Sequence, residues 1–324
     1  MRRFVLLALI ACCAALPAYG FGTINRLGQH AEHEKITRRG LASFHFGPAT
    51  MDAIAGKSST FGAVGAPDSP LRGLIFKSEA HCDNGDYLNV PGYPQSAEKA
   101  IAVLATCRAW IFARLDEAVS DAGDLVDESG RVRSSQLPGR LFTCLFNGRK
   151  GRAKCNVLED LGLAFHTAQD FYSHTNWVDR PEPGPATVTN PPGLGHEKPA
   201  SWIDPAKRDT APPAGLISGC FGGIPESWYC NYGDEQHRVR HQDLNKDKGI
   251  IIVATGRTFA PGTPRGAVGG ETSGNFARAV TAAVEDTRRK WAYFERRIQA
   301  VYGARRGKVI ICAIRRDDAS GCRP

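Results

Sequence analysis

The 324-residue sequence predicts an all-α, multi-helix domain covered by long loops, with one short β-hairpin near the C-terminus. Three observations carry this reading. Residues 96–126, 161–177 and 275–302 place apolar side chains at helical spacing. The segments 47–72, 181–213 and 257–274 are rich in Gly, Pro or Ser and read as connections. The short β-branched run Lys308-Val-Ile-Ile-Cys-Ala-Ile314 suits a hairpin.

Taken in order, residues 1–20 combine a basic end, an apolar run and the small residues Ala18 and Gly20. That is the pattern of a secretory signal, too short for a stable membrane span. Cleavage after Gly20 leaves 304 residues, and loss of Arg2 and Arg3 lowers the formal charge from +8 to +6. A mildly basic chain of this kind suits an anionic substrate, phospholipid surface or nucleic acid, without choosing between them. No second apolar stretch is long enough to anchor the chain in a membrane. The expected destination is therefore secreted or periplasmic.

Eight cysteines remain after cleavage, an even number in an exported chain, which argues for disulfides. Cys144 with Cys155, Cys220 with Cys230 and Cys312 with Cys322 lie ten or eleven residues apart in turn-rich sequence, leaving Cys82 for Cys107. No Cys-x-x-Cys pair exists, so a cysteine-zinc site has little support.

A first helix is expected from Glu32 to Phe44, with Ile36, Leu41 and Phe44 inward. The long amphipathic helix over 96–126 follows a loop-rich stretch. The central helix comes next, with Asn156 as its expected cap and Glu159 three residues on. Nine prolines between Pro181 and Pro213 then predict a long loop, placed by its position after His174 at the mouth of a site. Residues 21–304 form the main domain, and 305–324 a basic, disulfide-closed extension.

The central stretch Leu161-Gly-Leu-Ala-Phe-His-Thr-Ala-Gln-Asp-Phe-Tyr-Ser-His-Thr-Asn-Trp177 repeats His166, Asp170 and His174 every four residues inside an apolar segment. At helical spacing all three share one face. Two imidazoles and a carboxylate suit zinc, and burying them without partners costs several kcal/mol. A satisfied polar network would account for the same stripe. Gly162, one turn before His166, leaves room for a close neighbour. Further ligand types are scattered along the chain: His33, Asp68, and His81 beside a cysteine, then His237 and His241 four apart. Phe171, Tyr172, Trp177 and Trp202 could contact acyl chains or bases, although such aromatics are more often core.

The motif Leu-Gly-x-x-x-His-Thr-x-Gln-Asp-Phe-Tyr-Ser-His-x-Asn-Trp-Val resembles the signature of HET-C (heterokaryon-incompatibility C) proteins, as does Asn245-Lys-Asp247. A Phe21-Gly22 start followed by His33-x-x-Ile36-Thr37 is similar to theirs. The resemblance spans roughly 21–290 and is dense at 161–178. More remotely the set resembles zinc-dependent bacterial phospholipases C and single-strand nucleases, which bind three zinc ions. That resemblance implies one zinc on Phe21, through its α-amine, and His33. A second zinc would sit on Asp68, His81 and His166, with Asp170 bridging the two. His174 would begin a third site, which the phospholipases complete with a His-x-x-x-Glu pair that this sequence lacks. His241 is the preferred replacement, with His196 next, so two or three zinc ions are expected. Asp68 would orient or deprotonate the attacking water.

The leading expectation is a secreted zinc phospholipase C with Asp68 and Asp170 as its catalytic carboxylates. A secreted single-strand nuclease shares the same metal logic. A non-enzymatic toxin or interaction protein with structural zinc is the third reading, favoured by the missing pair.

Overall fold

The computed structural model describes residues 21–323 apart from 27, 59, 71, 140–143 and 233–235. The expected signal segment 1–20 lies outside the described residues. Helices carry the architecture: α1 Glu32–Leu41, α2 Pro48–Ala55, α3 Ser78–His81, α4 Ala97–Ala122, α5 Ala153–His174, α6 His241–Leu244, α7 Pro264–Ala267, α8 Asn275–Tyr302 and α9 Ala304–Arg315. Two antiparallel ribbons accompany them, β1 Asn231–Tyr232 with β2 Gln236–His237, and β3 Ile250–Ile251 with β4 Thr258–Phe259. Among the described residues no helix is long and apolar enough to cross a membrane.

Each long helix follows from its local sequence. Glu32 and Glu34 in the first turn of α1 and Arg38 and Arg39 in its last complement the helix dipole. Ser96 caps α4 by accepting from Lys99 N–H at 3.2 Å. α8 occupies the predicted span 275–302 with Phe276, Val280, Trp291, Phe294 and Ile298 buried along one side. The start of α5 differs from expectation. Arg152 stands at the N-cap, while Asn156 accepts from Gly151 N–H at 2.7 Å within the first turn. Glu159 instead accepts from Gly148 N–H and pairs with Arg72 at 3.0 Å.

α5 is the hub. It lies against α4, α8, α1 and α3, and nearly every residue from Ala153 to His174 is buried. Its closest approach is at Gly162, where an added Cβ would stand 2.4 Å from the backbone carbon of Ala63. Backbone cannot swing aside as a side chain can, so Gly162→Ala should destabilise the fold by about 1–3 kcal/mol in chemical denaturation. A variant of unchanged midpoint would show that the two segments part freely.

The predicted C-terminal hairpin over Lys308–Ile314 is overturned, because this run lies within helix α9. Val309, Ile310, Ala313 and Ile314 recur at helical spacing and are buried in the main core, so tertiary burial outweighs the β preference of the branched side chains. Gly307 lets α9 fold back closely on Gln299 of α8. The segment 47–72 is likewise less open than expected, since α2 lies inside it.

All four expected disulfides are present: Cys82–Cys107, Cys144–Cys155, Cys220–Cys230 and Cys312–Cys322, with Cα separations of 5.1–5.8 Å. Within the proline-rich segment, residues 195–200 run along α5 and α8: Tyr172 Oη accepts from Ala200 N–H, Trp177 Nε1 donates to Lys198, and Arg278 donates to Gly195. Residues 190–192 are held by Arg265 and by Asn176, which follows α5.

Candidate metal centre

Five histidines and four aspartates converge on the polar stripe of α5, all of them largely or fully buried. α5 contributes His166, Asp170 and His174, four residues apart and on one face as the sequence implies. α1 contributes His33 and α3 contributes His81. Asp68 closes a 3-10 turn, Asp83 follows α3, His241 opens α6 and Asp247 follows it.

The imidazoles are oriented by their outer nitrogens. A carbonyl oxygen only accepts, so a ring nitrogen bonded to one must carry the proton, and the opposite nitrogen of the neutral ring keeps a free lone pair. His166 Nδ1 donates to Val64 C=O at 2.9 Å. His33 Nδ1 donates to the Gln169 side-chain oxygen at 2.7 Å, and Gln169 is itself held by Thr37 and Thr287. His81 Nε2 donates to Leu74 C=O at 3.2 Å, and His174 Nδ1 to His81 C=O at 2.8 Å. Outer partners of this kind fix metal-ligating histidines.

The inner nitrogens then face one another. His166 Nε2 stands 3.1 Å from His81 Nδ1, and Asp170 Oδ2 lies 2.9 Å from the first and 3.0 Å from the second. Asp170 Oδ1 approaches His33 Nε2 at 3.2 Å and His174 Nε2 at 4.0 Å. Asp68 Oδ2 accepts from Thr23 Oγ1 at 2.9 Å, while Oδ1 is 3.8 Å from His166 and 3.9 Å from His81. Among the described residues, His33 Nε2, Asp170 Oδ1 and His174 Nε2 are buried without a hydrogen-bond partner. Lone pairs and carboxylates crowded this way repel unless a cation, a metal or protons, lies between them.

A second cluster adjoins the first through His174. Asp83 lies 3.1 Å from His174 Nδ1, and Asp247 is 3.3 Å from His174 Nε2 and 3.4 Å from His241 Nε2. Glu226 accepts from His241 Nδ1 at 3.3 Å. Three residue groups can hold a metal ion: His33 with Asp68 and His166, His81 with His166 and Asp170, and Asp83 with His174 and His241.

Without metal, the site is electrostatically unbalanced. Burial lowers the pKa of His33, His81, His174 and His241, but the surrounding aspartates outweigh it and leave all four raised, His174 well above its ordinary value. Burial prevails at His166, which is lowered. Burial likewise raises Asp68 against the pull of three histidines, whereas the histidines around Asp170 overcome burial and hold it well below its ordinary value. Backbone conformation adds strain beside the ligands. Cys82 and Asn84 adopt left-handed φ angles of 58° and 66°, which cost non-glycine residues about 1–3 kcal/mol each.

Every sequence-predicted ligand side chain is thus brought to one place: His33, Asp68, His81, His166, Asp170, His174 and His241. Phe21 is adjacent, fully buried, with its ring edge-on to His33 at 5.9 Å. Gly22 bonds both centres, donating to Asp247 C=O and accepting from His33 N–H. His196 is not part of the site, being exposed and set against Trp177 at 4.0 Å. His237 turns its Nδ1 to Arg238 C=O. Phe171, Tyr172, Trp177 and Trp202 are buried in the main core.

Asp83 and Asp247 carry only a weak signal in the sequence, proximity: Asp83 stands two residues after His81, and Asp247 in the Asn-Lys-Asp run after His241. Asp86, in the same acidic run as Asp83, is instead consumed by Arg238 and Tyr93. Comparison with known protein families, curated proteins and solved structures finds no match to this chain.

Proposed function

We propose that this chain is an exported zinc-dependent phosphodiester hydrolase acting as a phospholipase C on phospholipid head groups. The observation that carries the reading is the facing pair of inner nitrogens, His166 Nε2 and His81 Nδ1, 3.1 Å apart across the Asp170 carboxylate. Nitrogen and carboxylate donors of this kind fit zinc, and resident zinc would supply Lewis acidity and a water of lowered pKa for attack on phosphorus.

The chain's own residues have separable tasks. His33, Asp68, His81 and His166 would hold the first centre, and Asp170, with an oxygen toward each side, would tie it to a second built from Asp83, His174, His241 and Asp247. Asp68 is the proposed proton acceptor. Thr23 Oγ1 holds one of its oxygens at 2.9 Å, which leaves the other oxygen turned toward His166 and His81. The outer bonds to Val64, Leu74 and Gln169 keep the imidazoles in one tautomer and spare them reorganisation during turnover.

The test is metal content measured alongside turnover on one purified sample. At least two zinc per chain is expected, with phosphocholine released from phosphatidylcholine, abolished by chelation and restored by zinc. Turnover of single-stranded DNA without lipid hydrolysis would replace the substrate and keep the metal chemistry. Zinc bound without either activity would make the metal structural.

A further inference from the structure

We infer that the disulfide-closed loop between Cys220 and Cys230, together with Phe76, docks this protein on a phospholipid bilayer surface beside the second centre. The inference rests on the phospholipase reading for its purpose, but the surface stands on its own geometry. The exposed large aromatic side chains among the described residues are Phe76 at 64%, Trp228 at 77% and Tyr229 at 54%. Ile224, in the same loop as Trp228 and Tyr229, is also exposed. Clustered apolar exposure of this kind marks an interaction site rather than ordinary surface.

The loop is attached to the ligand cluster at several points. Phe221 approaches the His241 ring at 5.8 Å and lies parallel to Phe76, with centroids 6.1 Å apart. Phe76 itself precedes α3, which ends on His81. Glu226 accepts from His241 Nδ1 with one oxygen and from Gln242 N–H with the other. Gly222 and Gly223 lie so close to Tyr229 that a Cβ on either would come within 3.0 Å of that side chain. The base of the loop, with Phe76 and Tyr229, is therefore held in place relative to the metal centre.

Charge selects the occupant. Residues 220–230 read Cys-Phe-Gly-Gly-Ile-Pro-Glu-Ser-Trp-Tyr-Cys, with no Lys or Arg, and the one acid, Glu226, is turned inward. A nucleic acid groove needs cations along the phosphates. An uncharged tip bearing Trp and Tyr matches the head-group region of a bilayer, where amphipathic rings settle.

The experiment compares wild type, Trp228→Ala, the double variant Trp228→Ala/Tyr229→Ala and the control Val301→Ala, an exposed apolar residue on α8. Partition onto unilamellar phosphatidylcholine vesicles is measured by co-sedimentation, and turnover with water-soluble p-nitrophenylphosphorylcholine. The expected result is partition lowered about tenfold in Trp228→Ala and further in the double variant, from the apolar area lost. Val301→Ala should partition as wild type, and soluble turnover should be unchanged throughout. Wild type that stays off vesicles, or aromatic variants that partition normally, would overturn the inference. So would an equal loss of soluble turnover, or a loss of oligonucleotide binding in place of vesicle binding. Patch-dependent vesicle binding without head-group release would uphold the surface and refute the phospholipase reading.

Discussion

Asp170→Asn should release more than one metal equivalent while leaving the chain folded. The amide has nearly the same volume as the carboxylate, so packing within α5 is preserved. It loses the charge that His33, His81, His166 and His174 all face, and it puts an N–H₂ donor where an oxygen stood. Because Asp170 reaches histidines of both clusters, its loss should be felt at both. Activity should fall by more than the roughly 10–100-fold typical of losing an outer-shell partner. Asp83→Asn is the contrasting variant, since Asp83 belongs with His174 and His241 in the second cluster and should spare the first centre. Metal analysis of folded Asp170→Asn matching wild type would sink the bridging role.

Metal removal should reverse the pH dependence of stability. A histidine whose folded pKa is raised stabilises the fold fully below its unfolded value and loses that contribution as pH rises through the folded value. Four histidines of the metal-free site are raised above 6.5, so the apoprotein should lose stability from pH 6.5 upward. Glu32, raised to about 7 by burial, acts in the same direction between 4.5 and 7. The lowered His166 acts oppositely, but only below 6.5. Asp247, brought down to about 2 by His174 and His241 against the effect of burial, matters only in strong acid.

In a metal-loaded protein the cation would replace those protons, so binding should tighten as pH rises. At mildly alkaline pH the chelated protein should be less stable by about 3–5 kcal/mol or more, the scale of leaving buried charge uncompensated. Thermal unfolding across pH 6–9, with and without chelator, measures this. A chelator that leaves the unfolding temperature unmoved, or an apoprotein that gains stability with pH, would refute it.

Local patterns were legible in the sequence. The four-residue repeat of His166, Asp170 and His174 places three ligands on one helical face wherever the helix packs. The span of α8 followed from its apolar period, and three of the four disulfides from short spacing in turn-rich segments, the fourth by elimination. Gly162 announced a close neighbour, and Ala63 is that neighbour. The hairpin failed at Val309-Ile-Ile311, where branched side chains and helical spacing point to different elements. Burial against α8 and α5 decided for the helix.

What the sequence by itself determined was therefore period and chemistry: which faces are apolar, which residue types line the polar stripe, and which cysteines are near enough to pair. Tertiary structure decided which distant groups meet that stripe. His33 and Gln169 are 136 positions apart, and Ser173 and Asp247 are 74 apart. Nothing local in the chain specifies such a pairing, which arises only when several helices bury their faces together. The same docking left the Cys220–Cys230 loop beside His241 and laid Ala200, at the end of the proline segment, against Tyr172 of α5. Spacing along the chain reports a helix's own geometry, whereas a site assembled from loops depends on how the helices close around one another.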